Sequence, residues 1–142
     1  MKQLRLFIFM TLIFTSITAV AKDCPFMRQD KIYNCSLIIL DEKKSSYSAF
    51  LTMTKIKGKD SIVIKGNDDD DSINFVITLN SGLTSKSNEN GIYYVGLDDN
   101  DNGVLIGNWT EGRRLILFTF EGLNIGVVYD PYPIGDINDY LN

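Results

Sequence analysis

Apolar and polar positions alternate most cleanly at 73–79, where Ile73, Phe75, Ile77 and Leu79 fall on one side and Asn74, Val76 and Thr78 on the other. A period of two is that of a strand with one face buried and one wet. Runs rich in β-branched and aromatic residues predict further strands at 32–40, 47–56, 61–65, 92–97, 104–109, 113–121 and 123–129. Gly58, Gly66-Asn67, Gly82, Asn90-Gly91, Asn102-Gly103, Glu111-Gly112 and Glu121-Gly122 fall between these runs, where turns require a left-handed backbone. Pro25, Pro131 and Pro133 all lie outside the predicted strands, as a continuous hydrogen-bonded ladder requires.

Connections this short make successive strands antiparallel neighbours. The pattern therefore predicts an all-β chain, a small antiparallel up-and-down β-barrel of about eight strands, with a two-sheet β-sandwich as the alternative. The barrel is preferred because a meander that does not close leaves its edges unpaired. A helical turn is expected in the tail at 136–142. One run departs from one-sided amphipathicity: Leu115-Ile116-Leu117-Phe118 is apolar on both faces. We expect the C-terminal tail to cover its outer side; left bare, it would be a strip for a partner or lipid.

The N-terminal segment follows different rules. Lys2 and Arg5 precede an apolar stretch at 6–14, broken by Thr11, and the segment ends Ala19-Val20-Ala21. This is the form of a cleaved secretory signal peptide, too short to span a bilayer core of about 30 Å comfortably. Residues 1–21 are expected to be removed, leaving 22–142 as a single β domain, secreted or periplasmic. In an oxidising compartment Cys24 and Cys35 are expected to pair. Such a disulfide, closing a loop of about 12 residues, would contribute roughly 3 kcal/mol on the chain-entropy estimate.

Charge narrows the functional classes. The chain has 14 basic and 18 acidic residues, a net charge of −4, which argues against a basic nucleic-acid footprint. It has no histidine, which removes Ser-His-Asp and Cys-His nucleophilic systems and imidazole-dependent zinc sites. No catalytic residue is assigned and no cofactor is required.

Two acidic runs remain. In Asp98-Asp99-Asn100-Asp101-Asn102-Gly103, the oxygens of Asp98, Asn100 and Asn102 alternate as in the first half of an EF-hand loop. The twelfth position, however, is Trp109 rather than an acid. The run reads as a hairpin turn with a weak calcium site as the alternative. The second run, Asp68-Asp69-Asp70-Asp71, reads as a solvated acidic loop. If the barrel brings it near Asp98, Asp99 and Asp101, one end of the molecule becomes negative enough to meet a cationic partner. Gly107-Asn108-Trp109 has the GxW form, which resembles the signature triplet of lipocalins. There the triplet lies on the first strand, whereas here it falls two-thirds along, and no functional residue is carried across.

The primary expectation is a non-catalytic binding protein that engages a cationic protein through an acidic loop end. The first alternative is a small-ligand carrier with a lipocalin-like cavity lined by residues such as Tyr33, Tyr94, Trp109 and Tyr129. The second is a carboxylate-based glycan-acting enzyme.

Overall fold

A computed structural model describes residues 26–40, 47–66 and 73–140. The expected signal peptide, Cys24 and Asp68-Asp69-Asp70-Asp71 lie outside the described residues. The strands are β1 (Lys31–Ile39), β2 (Tyr47–Ile56), β3 (Lys59–Gly66), β4 (Asn74–Thr78), β5 (Thr84–Asn88), β6 (Gly91–Leu97), β7 (Gly103–Asn108), β8 (Arg114–Phe120), β9 (Leu123–Tyr129) and the two-residue β10 (Gly135–Asp136). A single helical turn, α1 (Ile137–Tyr140), follows in the tail.

Nine antiparallel strands curl into a half-barrel in the order β4-β3-β2-β1-β9-β8-β7-β6-β5. Every pair in this order joins sequence neighbours except β1–β9, where Cys35 to Ile39 meet Tyr129 to Ile125 and bring the first and last long strands together. Two of the hairpins are two-residue turns with both central residues at positive φ: Lys57-Gly58 (53° and 81°) and Glu121-Gly122 (50° and 81°). This mirror-image turn matches the right-handed twist of the flanking strands, and glycine takes its second position without a Cβ penalty.

The seam between the edge strands β4 and β5 explains how far the sheet closes. Both run in the same direction, as one bent stretch of chain. Its first half pairs with β3 and its second half with β6. Between the halves, Leu79 bridges Asp98, Asn80 N–H donates to Leu97 O at 2.8 Å, and Asp99 N–H donates to Thr78 O at 3.0 Å. The curl is thus pinned at one point and the outer edges of β4 and β5 diverge from it. β5 (Thr-Ser-Lys-Ser-Asn) was not anticipated, because it has no apolar residue to mark a strand. Its pairing comes from β6.

The concave side holds one core: Tyr33, Leu37, Leu51, Ile62, Ile64, Ile106, Ile116, Ile125 and Tyr129 are each 0–1% exposed. Each such side chain contributes roughly 1.5–3 kcal/mol through burial. Phe26 and Met27 sit at the N-terminal approach and join this core. Two core tyrosines hold them: Tyr129 Oη donates to Phe26 O at 3.0 Å, and Arg28 N–H donates to Tyr33 Oη at 2.7 Å. The Arg114 guanidinium lies over the Phe26 ring, 4.5 Å from its centroid.

Two expectations need correction. The Cys24–Cys35 disulfide is not supported: Cys35 is a free, buried thiol. Its register opposite Ala49 and Tyr129 makes it a core residue of β1, and burial pushes the thiol up to about 12. The tail does not lie along the outside of β8. β9 ends opposite Cys35, leaving the start of β1 unpaired on that side, and β10 takes the place, pairing with Lys31 and Ile32. Backbone demand recruits the tail there: Ile134 N–H donates to Ile32 O and Ile137 N–H to Asp30 O. Outside β8, Leu115 and Leu117 stay half-buried, gathered with Leu40 over the bare Cα of Gly126.

Candidate functional site

Strand alternation builds the site. Ile73 O accepts from Gly66 N–H and Leu79 N–H donates to Asp60 O, so odd-numbered residues of β4 direct their backbone groups to β3. Even-numbered residues direct theirs to the outer edge, as the Asp99-to-Thr78 bond confirms. The same alternation turns Ile73 and Ile77 into the core and leaves Val76 exposed.

Beside that edge lies an open cleft of about 510 Å³. One wall is Val76–Thr78 of β4; the facing wall is the end of β8 and the following turn, from Thr119 to Gly122; the 98–102 turn closes one end. Val76 and Phe120 supply apolar lining, and Asp98, Asp99 and Glu121 supply carboxylates. Aromatic packing spans the opening: Phe75 meets Phe120 edge-to-face at 4.8 Å and Phe118 at 6.1 Å. Each such pair adds about 0.5–1.5 kcal/mol beyond buried area.

The 98–102 turn has a structural use for its first carboxylate. Asp98 is buried, and its Oδ1 accepts the amides of Asn100 (2.8 Å) and Asn102 (2.9 Å). Asp98 N–H donates to Asn102 O and Asp101 N–H to Asp98 O, completing the loop. An oxygen surrounded by N–H donors is a turn cap. Asp98, Asn100 and Asn102 are therefore brought together as the calcium pattern requires, but through main-chain amides of the two asparagines. Among the described residues no three His, Cys, Asp or Glu side chains are grouped to hold a metal.

The remaining acids divide. Asp99 is exposed and 3.2 Å from Lys59 Nζ. Asp101 is exposed, in the left-handed region at φ 61°. Glu121 is exposed on the far wall. The 98–102 turn meets β3 at Lys59 and β4 at Thr78, at the far end of both strands from Gly66 and Ile73. Sequence reasoning had Val76, Thr119, Phe120 and Glu121 as strand and turn residues only. Nothing local marks them, since the cleft exists only once β4 and β8 face each other.

No protein-family profile, curated protein or solved structure matches the chain.

Proposed function

We propose that this is a non-catalytic, secreted or periplasmic binding protein that engages a cationic protein through the acidic end of its half-barrel. The observation that carries this is the cleft itself, a concave site with carboxylates at one end and on the far wall and apolar side chains between them. Negative walls around a recess focus the field on a positive partner and raise its encounter rate. Lys59 offsets part of the charge at Asp99, but Asp101 and Glu121 have no basic partner among the described ion pairs.

The other readings draw less from the fold. A carrier needs interior room, and the concave side is filled by fully buried isoleucines, leucines and tyrosines. A glycan-acting enzyme needs two free carboxylates facing each other, whereas Asp98 is spent on the turn and Asp99 is tied to Lys59.

The test is fluorescence anisotropy with a labelled oligolysine peptide against residues 22–142, across a salt series. Binding is expected to weaken as screening shortens to about 8 Å near physiological ionic strength. Asp99→Lys/Asp101→Lys/Glu121→Lys should abolish it. The same charge change at Glu111, Asp130 and Asp139, outside the cleft, should leave most of it. Equal loss from the two triple variants would overturn a localised site. Reversal at Asp68-Asp69-Asp70-Asp71 then asks whether that run takes part.

A further inference from the structure

We infer that the outer edge of β4 is a strand-addition site, and that the cationic partner docks there as an extended segment alternating basic and apolar residues. The inference deepens the proposed function and rests on its acidic cleft, but it is carried by a different observation, the backbone of β4. Among the described residues that strand pairs with β3 alone. Its even-numbered residues aim their N–H and C=O groups away from β3, and among the described residues those groups meet the rest of the sheet only at Thr78 and, just past the strand, at Asn80. Between Thr78 and the start of β4, the amide and carbonyl of Val76 are presented at the edge, beside a side chain 43% exposed.

Such an edge is a template for another strand, and soluble proteins usually blunt theirs with charge, proline or a bulge. β5 follows that rule, carrying Lys86 among serines and an asparagine. β4 does not: Asn-Phe-Val-Ile-Thr has no charge and no proline. Its edge also opens into a cleft rather than into bulk water. A strand added there would lie about 4.8 Å from β4. Its backbone would pair with Val76, and its side chains would alternate between the two faces.

The lining chooses those side chains. Val76, which is exposed, and Phe120 form the apolar part, suited to an aliphatic residue. Glu121 on the opposite wall suits a lysine or arginine on one side of it, and Asp99 at one end, shared with Lys59, suits a second on the other. The preferred sequence is therefore basic-apolar-basic-apolar-basic, held by main-chain hydrogen bonds for affinity and by the carboxylates for selection.

The experiment uses a labelled Lys-Val-Lys-Leu-Lys peptide with residues 22–142. Its comparators are the same peptide N-methylated on alternate amides and an all-lysine peptide of equal charge. The parent peptide should bind at least about tenfold more tightly than the N-methylated one, and Val76→Pro should weaken it by a similar factor. Proline at 76 removes an outward N–H and leaves pairing with β3 intact, and an unchanged thermal midpoint checks that the fold survives. Hydrogen exchange at the Val76 amide should slow on peptide addition.

If the methylated and parent peptides bind alike, and both are lost with Asp99→Lys/Glu121→Lys, the edge inference fails while the electrostatic reading stands. If no basic peptide binds and the charge reversals change nothing, the proposed function fails as well.

Discussion

Replacing Asp98 by alanine removes the one acceptor that organises the 98–102 turn. Two backbone amides, at 2.8 and 2.9 Å, lose their partner. Hydrogen bonds to a charged acceptor contribute about 1.5–3 kcal/mol each when fully sheltered. Asp98 itself is buried, but Asn100 is exposed, so water can recover part of the loss. About 2–3 kcal/mol for the pair is the reasonable magnitude.

The effect reaches beyond the turn, because Leu79 bridges Asp98 and Asp99 N–H holds Thr78 O at the point where the sheet edges meet. Loosening 98–102 should therefore free the β4 edge. In urea unfolding, Asp98→Ala should lower the midpoint without changing the slope, and the thermal midpoint should fall by about 10 °C. Asp98→Asn keeps a neutral oxygen in place and should cost about 1 kcal/mol. Hydrogen exchange at Asn80 and Asp99 should accelerate in the alanine variant. Equal losses for Ala and Asn, or an alanine cost below about 0.5 kcal/mol, would refute the capping argument. A calcium-dependent rise of the wild-type midpoint that both variants lack would assign the carboxylate to a metal instead.

Further outcomes follow from the packing. Tyr129→Phe should cost about 1–2 kcal/mol in denaturant unfolding, because Phe26 O loses its buried donor; a neutral result would mean that water replaces it. Phe75→Ala should cost about 2–4 kcal/mol and raise exchange along β4, since its ring spans the opening to Phe118 and Phe120; a cost below about 1 kcal/mol would show that the opening is not held by these rings. The Cys35 thiol titrates at about 12 in the folded chain against an ordinary 9.0, so burial favours its protonated form. Its contribution to stability is complete below pH 9 and disappears as pH rises towards 12. Cys35→Ala should lessen the alkaline fall in stability relative to wild type, and a thiolate absorbance rising near pH 9 in the native protein would contradict the burial argument. Cys35 should be alkylated only after unfolding; failure to alkylate the unfolded chain without reductant would restore the bridge to Cys24.

The sequence by itself determined the strands whose one face is buried. Alternation at 73–79 located β4 and its inward residues, because a strand's side chains switch faces at every step regardless of what lies opposite. Gly58 and Glu121-Gly122 marked tight hairpins, because a positive φ is a local demand. Turn spacing then gave an antiparallel meander that curls. Only the tertiary structure decided the rest. β5 has no apolar period and is a strand because β6 offers it partners. Cys35 is opposite Ala49 and Tyr129 because of strand register, which no count of cysteines reveals. The tail went to β1 because β9 stops short there, a mismatch of strand lengths visible only after pairing. Asp98 was legible as a turn residue, but its use as a cap depended on amides that a chelating loop would have pointed elsewhere. The cleft depended on tertiary structure most of all, since its walls come from β4, β6–β7 and β8–β9. Local pattern encodes which face of a strand is wet; it does not encode which edge is left without a neighbour.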